Sequence, residues 1–444
     1  MLRRLIFCAL SLGIVPLGCA PASPYDRAWV GHQIETSVGH AVGDPTRAPS
    51  LPPGASDVGA LGEDDAVAVA LWNSAALGAE LEQIGASQAD LAEAGALANP
   101  TFSLLFPIGP RQVELSVLAP VSSLVQRPFR VKMARLDVER VARGLVQRGL
   151  DLARDARLAW IEVEAARARA EARRELAQAW GAVAKVARAR LTAGDAAAVE
   201  AAAAEADARD AQDQSERAAT DHAAAIQRLR LVLGLADGSL GGRLGTRAAP
   251  LDERAPAAEE ALVDLALAAR PDVRAAEIAV ETAAARRGWE KSRIVNLMAR
   301  LDVKPIGSQG GPPLLPLPGV QAEIPIFNWN QGGVGRAEAE VAAAALRYRV
   351  VRQGVVTDVR VARLSLAQAV ASLRRYRDEV LPLLQKAATT AQRSFETGDQ
   401  PYLVTLEATR RLQDARLRLV DLEAEVRRAR ANLERHVGRR EHVR

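Results

Sequence analysis

Most of the chain repeats apolar residues at intervals of three and four, the spacing that places them on one face of an α-helix. The pattern predicts one helix over 63–98 and a second, of about 60 residues, from near Pro128 to near Arg190. A return helix is predicted from about Ala196 to Leu233, after a cap at Gly194. The second helix carries the steps of a coiled-coil seam at Val138, Val141, Leu145, Leu152, Ala156, Ala159 and Val163.

Two short regions instead alternate apolar and polar residues, which predicts β-hairpins. The first hairpin covers about 101–120 and turns at 107–110; the second covers about 297–326, with a Gly/Pro-rich stretch at 305–318. A helix from about Ala257 should break at Pro271, because proline suits the first turn of a new helix. Long helices are expected again over about 335–397 and 401–437. Because the two hairpins are distant in sequence, we expect no sheet of useful size within one chain.

The chain repeats its plan at an offset of 204 residues, which separates Gly194 from Gly398 and Gly234 from Gly438. Such self-similarity indicates one architecture used twice. The predicted fold class is mainly α with a small β part, built from duplicated long-helix, β-hairpin, long-helix repeats. The corresponding divisions are a signal peptide (1–18), a tether (19–60), repeat one (61–235), a linker (236–256), repeat two (257–438) and a basic tail (439–444).

The N-terminus has the features of a secretory signal. Arg3 and Arg4 precede an apolar stretch, 5–17, that is too short to cross a bilayer as a helix. Cys19 follows in a context that resembles a bacterial lipobox, in which this cysteine would be acylated, although Pro16 departs from that pattern. Ordinary signal cleavage nearby is the alternative. Cys8 would leave with the signal, so no disulfide is expected.

The composition excludes several classes of function. Aromatics are 4% of the chain, the formal charge is +4, and charges of both signs are interspersed, which disfavours nucleic-acid binding. The five histidines share no ligand spacing, so neither a bound metal nor a cofactor is expected. No nucleophile triad, phosphate loop or carboxylate pair stands out, and we predict no enzymatic activity.

The polar side of the second hairpin carries more charge than a protein core accepts. Arg300, Asp302, Lys304 and Glu323 would suit a water-filled lumen, with the apolar side facing lipid. One face of a small soluble sheet is the simpler alternative. Because four strands cannot close a barrel, a membrane reading requires several chains to share one.

Four motifs, in order, resemble the TolC-like outer-membrane efflux family over almost the whole mature chain. They are Asn99-Pro100, Arg270-Pro271-Asp272-Val273, the stretch Pro325-Ile326-Phe327-Asn328-Trp329-Asn330-Gln331-Gly332-Gly333, and Gly398 with Tyr402-Leu403 and Leu406-Glu407-Ala408. In the first repeat, the segment from Pro120 to Pro128, where the chain would leave the barrel, departs from the family's pattern. The short first hairpin looks most like the heavy-metal-efflux (CzcC-like) branch.

The resemblance implies a homotrimer: an α-helical tube in the periplasm with a shared 12-stranded outer-membrane β-barrel. It also implies a periplasmic adaptor and an inner-membrane pump of the RND type as partners. The chain would be a passive exit duct, lipid-anchored in the bacterial outer membrane. The alternative is a lipid-anchored periplasmic coiled-coil adaptor or structural protein.

The resemblance also assigns candidate site residues. Glu407 would face the closed aperture, where three symmetry copies would form a carboxylate ring; a solvated helix carboxylate is the alternative. The helix-tip residues that would contact the adaptor are Arg190, Leu191, Gly194, Arg393, Ser394 and Gly398, of which the glycines could simply cap turns. Phe327 and Trp329 would belong to an aromatic belt at the membrane surface, or would be ordinary packing aromatics.

Overall fold

The computed structural model describes residues 21–44, 46–54, 58–106, 114–236, 244–248, 250–294, 296–304, 315–397 and 402–439. Within these ranges the fold is mainly helical, as expected. The helices are α1 (Arg27–Val38), α2 (Glu63–Asn73), α3 (Ala75–Gly95), α4 (Ser122–Ala193), α5 (Ala198–Val232), α6 (Glu259–Ala269), α7 (Pro271–Ser292), α8 (Gln331–Arg375), α9 (Leu381–Glu396) and α10 (Tyr402–Val437). The strands are β1 (Thr101–Leu105), β2 (Glu114–Pro120), β3 (Asn296–Lys304) and β4 (Leu315–Glu323).

The chain forms two compact units, and each unit contains segments of both repeats. The first comprises 1–30, 81–144 and 272–351 and includes the four strands. The second comprises 31–80, 145–271 and 352–444 and includes the helical turn at Gly194. The compact units therefore do not coincide with the repeats seen in the sequence.

The two hairpins join into one antiparallel sheet of order β1-β2-β3-β4, so the expectation of separate hairpins was wrong. The joining pair is β2 with β3, in which Leu115 lies opposite Val303 and Val117 lies opposite Leu301. This register puts the alternating apolar residues of the two hairpins, among them Leu115, Val117, Leu301 and Val303, on the same face. It therefore favours pairing of strands that lie far apart in the sequence.

Strand β4 begins and ends earlier than the alternation suggested. It starts at Leu315, inside the Gly/Pro-rich stretch, and ends at Glu323, so Ile324 and Ile326 lie beyond it. Pro316 and Pro318 lack the amide proton that a central strand would donate, and β4 is accordingly an edge strand. The predicted turn at 107–110 and the remainder of the second turn, 305–314, fall outside the described residues.

The segment 19–60 is not an extended tether. It contains α1, in which Val30, Ile34 and Val38 are buried. Further along, the Ser50 amide donates to the Asn73 side chain at 2.9 Å, and that side chain donates back to the Ser50 carbonyl at 3.0 Å. The sparse apolar residues of this segment fill sites on other helices, which its weak periodicity could not reveal.

Some helix boundaries differ from expectation, either because a side chain caps a helix end or because a helix accommodates a proline. The predicted helix over 63–98 breaks at Ser74, whose hydroxyl accepts from the Leu77 amide at 3.1 Å and so caps α3. Helix α4 begins at Ser122 rather than near Pro128. Between α8 and α9 the chain makes one π-helical turn, Tyr376–Val380, which ends two residues before Pro382. The ring of a proline clashes with the preceding turn of a regular α-helix.

The expected seam of α4 is largely confirmed. Val138, Leu145, Ala156 and Val163 are buried, and the fully buried Trp160 donates its indole N–H to the Leu61 carbonyl at 2.8 Å. The predicted break before α7 at Pro271 is also confirmed.

Candidate functional site

The sheet has one apolar face and one charged face. Directly opposed residues share a face in an antiparallel sheet, so the register defines both sides. The apolar face comprises Phe102, Leu104, Leu115, Val117, Ala119, Leu297, Ala299, Leu301, Val303, Pro316, Pro318, Val320 and Ala322. The described charged side chains of the four strands, Glu114, Arg300, Asp302 and Glu323, occupy the other face, together with the apolar Leu105, Leu118, Met298 and Leu317.

The charged face is organised by short polar contacts. The Arg300 guanidinium donates to Asp302 at 2.8 Å, and the Ser116 hydroxyl donates to the same carboxylate at 2.7 Å across the β2–β3 pair. The side-chain amide of Asn296 donates to the Glu323 carboxylate at 2.9 Å. Of the predicted lumen residues the structure therefore places Arg300, Asp302 and Glu323 on one side; the side chain of Lys304 is outside its description.

Large apolar side chains near the end of the sheet are exposed. Phe327 is 92% exposed, Trp329 58% and Val320 72%. Neither aromatic is buried within the chain, and whether they belong to an aromatic belt or pack against another surface stays a prediction. Ile324 and Ile326 are also exposed, at 75% and 65%, and several exposed apolar side chains in one stretch are typical of surfaces that contact lipid or protein.

The turn from the sheet into α8 is fixed by Asn330. This residue has φ 57°, and its side-chain amide donates to the Glu290 carbonyl and carboxylate, each at 2.8 Å. Asparagine tolerates this left-handed conformation better than bulkier residues. The family-like motif at 325–333 thus ends in a turn held against the last helical turn of α7.

A tryptophan at the same junction was missed by the sequence analysis. Trp289 lies near the end of α7, and the Arg293 guanidinium stacks 4.9 Å from the centre of its ring. Trp289 lies seven residues before Asn296, the first residue of β3. This short spacing could have indicated that a second aromatic residue lies near the end of the sheet.

The first helix tip is an αL cap. Gly194 has φ 83°, the Asp195 amide donates to the Arg190 carbonyl at 2.8 Å, and the Gly194 amide donates to the Leu191 carbonyl at 3.1 Å. This pair of hydrogen bonds is a Schellman motif. Arg190 and Leu191 are half-buried, and Arg190 also donates to the Asp195 carbonyl.

The second helix tip is only partly described. Arg393 is exposed and Ser394 half-buried near the end of α9, and the carbonyls of both accept from the Thr397 hydroxyl at 3.2 Å. Gly398 lies outside the described residues. Adaptor contact by either tip therefore remains a prediction.

Glu407 lies on the exposed side of α10 and is paired with an arginine. The Arg411 guanidinium donates to its carboxylate at 2.7 Å, one turn along the same helix, with both side chains more than half exposed. An exposed pair of this kind contributes little stability, but it places a positive charge beside the predicted aperture carboxylate.

A contact between the helices of the two repeats lies close to Glu407. Arg410 of α10 pairs with Asp207 of α5 at 2.5 Å, and its guanidinium lies 6.0 Å from the Trp180 ring centre on α4. The sequence analysis missed this cluster, because its members are 203 and 230 residues apart.

The second unit also holds buried ion pairs around a cavity of about 450 Å³. Arg157 of α4 pairs with Glu434 of α10 at 2.5 Å, and both side chains are nearly excluded from solvent. Burial raises the pKa of the Glu63 carboxyl, against the lowering influence of Arg157 and Arg427. The Arg254 guanidinium lowers the pKa of Asp252 to about 2. Arg427 and Arg430 of the final helix pair with Glu63 of α2 at 3.8 Å and with Asp252 of the linker at 3.4 Å, which ties both segments to α10.

Known proteins resemble this chain in sequence. Residues 317–439 match the family model described as outer membrane efflux protein. The cobalt-zinc-cadmium resistance protein CzcC of Cupriavidus metallidurans is 31% identical over 121 residues, which are 27% of this chain and 29% of that protein. The matched segment thus spans less than a third of that curated relative.

Solved structures share the fold over nearly the whole chain. CusC has a TM-score of 0.73 at 16% identity and covers 96% of this chain and 100% of its own. The outer membrane protein VceC of Vibrio cholerae also has a TM-score of 0.73 at 16% identity, covering 85% and 96%. The chain has the fold of outer-membrane efflux channels, and the resemblance to the TolC-like family is confirmed. None of the described helices is long and apolar enough to cross a bilayer.

Proposed function

We propose that this chain is the outer-membrane channel of a tripartite efflux system and acts as a passive exit duct. The observation that carries the proposal is the two-faced sheet. One face is uniformly apolar, as lipid contact requires, and the other holds the charged residues that a wet lumen would accept.

The edges of this sheet support a shared barrel. Strands β1 and β4 each pair on one side only, and unpaired strand edges are excluded from hydrocarbon. Three copies of four strands would give 12, enough to enclose a lumen and satisfy every edge. The proposed assembly is therefore a homotrimer.

The N-terminal segment supports a lipid anchor at the membrane end of the chain. Pro21 packs where Gly95, the last residue of α3, has no side chain, and the Tyr25 carbonyl accepts from Gln88 at 3.0 Å. Gly95 is six residues before β1. Acylation of Cys19, two residues before Pro21, would insert lipid beside the sheet.

The proposed cargo is heavy-metal cations, delivered by an RND-type inner-membrane pump through a periplasmic adaptor. The similarity to CzcC supports this cargo. The proposed adaptor contacts are the two helix tips. Glu407 is the proposed aperture residue, and its pairing with Arg411 makes the proposed ring less negative than three bare carboxylates would be.

Cells lacking the chain test the cargo. We expect deletion to raise sensitivity to zinc, cobalt and cadmium and to leave sensitivity to uncharged drugs unchanged. The complementing chain should restore resistance. Sensitivity to drugs alone would replace the metal assignment with drug export.

Planar bilayers test the duct and its aperture. The purified protein should conduct ions, Glu407→Ala should lower cation preference, and Arg411→Ala should raise it. If both variants conduct with wild-type selectivity, Glu407 does not line the aperture.

A further inference from the structure

Three exposed cations lie near the junction of helices and sheet without an acidic partner. They are Lys132 and Arg135 on α4 and Arg287 on α7. None of them forms an ion pair with a residue that the structure describes. The nearby carboxylates are already engaged, since Asp137 pairs with Arg140, Glu281 with Arg274, and Glu290 with Arg293.

Contacts between α4 and α7 bring these cations to a similar level. The Phe129 ring of α4 packs against Gly288 of α7, and Arg274 pairs with Glu139 at 3.1 Å. Residue numbers therefore rise along one helix as they fall along the other, and the helices are antiparallel. At 1.5 Å per residue, the three cations span roughly 7.5 Å along the helix axes.

Helical geometry puts the three cations on the same side of the pair. With Phe129 and Gly288 facing each other, at about 100° per residue, Arg287 lies about 100° from the contact. Lys132 and Arg135 lie about 60° and 120° away on the corresponding side of α4, because the helices are antiparallel. Their long side chains can converge on one anion.

The same side of α4 is apolar nearer the sheet. Leu124 and Val125 are more than half exposed, and they follow directly on β2, which ends at Pro120. Along α4 the exposed residues thus change from Leu124 and Val125, four and five residues after β2, to Lys132 and Arg135 about 10–15 Å further along the helix. This succession matches the passage from hydrocarbon to headgroups in a bilayer.

We propose that Lys132, Arg135 and Arg287 bind the phosphate groups of anionic phospholipids in the leaflet that faces the periplasm. The inference rests on the proposed function, because it requires the sheet to lie in the membrane. Bound headgroups would fix the depth of insertion and neutralise three cations that form no ion pair with the described residues.

Native mass spectrometry of the full-length protein in neutral detergent tests the site, with phosphatidylglycerol and phosphatidylcholine as probes. The wild type should prefer phosphatidylglycerol. The triple variant Lys132→Gln, Arg135→Gln, Arg287→Gln should lose about fivefold of that preference per cation removed. The matched control is Arg174→Gln, Lys185→Gln, Arg228→Gln, which removes three exposed cations of the second unit that form no ion pair among the described residues; it should keep the preference.

An unchanged preference in the junction variant, or an equal loss in the control, overturns the lipid site. Displacement of phosphatidylglycerol by millimolar inorganic phosphate would also overturn it, since the ligand would then be a free anion. Membrane fractionation separates the two claims. A wild-type protein found in the outer membrane without this preference refutes only the lipid site, whereas a soluble wild-type protein refutes the proposed function as well.

Discussion

Removing one partner of the Arg157–Glu434 pair should destabilise the second unit far more than breaking a surface pair. The two atoms are 2.5 Å apart, and the side chains are 7% and 11% exposed. Arg157→Leu or Glu434→Leu leaves an uncompensated buried charge, a loss of about 3–5 kcal/mol. The pair joins α4 to α10, so the loss should affect the whole unit cooperatively.

The double variant separates the charge from the packing. With both residues changed to leucine, no buried charge is left alone, and we expect stability within about 1–2 kcal/mol of the wild type. Arg217→Leu is the matched control, because Arg217 pairs with Asp213 at 2.7 Å but both side chains are more than half exposed. That substitution should cost less than about 1 kcal/mol.

Urea unfolding in detergent, followed by helical circular dichroism, measures these differences. The reasoning is refuted if Arg157→Leu costs no more than Arg217→Leu. It is also refuted if the double variant loses the sum of the two single losses, since the pair would then contribute no coupling.

Three further outcomes are expected. Gly194→Ala should lower the free energy of unfolding by about 1–2 kcal/mol, because φ at this position is 83°. Gly181→Ala, in the open interior of α4, should instead raise it by about 0.5–1 kcal/mol. Similar urea midpoints for the two variants would disprove the αL cap. The pKa of Asp252 is lowered from 3.8 to about 2, so its contribution to stability is present above pH 3.8 and lost as pH falls towards 2. Asp252→Asn should flatten the acid limb of a pH titration of stability, and an unchanged limb would contradict this. Cys19→Ala should abolish labelling by radioactive palmitate while leaving assembly intact, and persistent labelling would show that another residue is acylated.

Local signals in the sequence were sufficient for most of the helices and for the strand alternation. Pro271 marked a helix boundary because proline has a fixed φ and no amide proton. Ser74 gave a weaker signal, because serine, although favoured at N-caps, costs far less inside a helix than proline does.

Long-range pairings were outside the reach of local patterns. The β2–β3 ladder joins residues 186 positions apart at Ser116 and Asp302, and Arg157 lies 277 positions from Glu434. No periodicity within a window of ten to twenty residues specifies such partners. The candidate site was recoverable in part, because the alternation in β3 marked Arg300 and Asp302 as one face. The pairing of Ser116 with Asp302 and the contacts of Arg411 and Asp207 were found only from the structure.

The particle mass of the detergent-extracted protein, by multi-angle light scattering, tests the central claim most directly. A shared barrel predicts a particle close to three times the 47.3 kDa of one chain, less the signal peptide, recovered from the outer-membrane fraction. A monomer recovered without detergent would contradict the shared barrel, because the edges of β1 and β4 would then need no neighbouring chain.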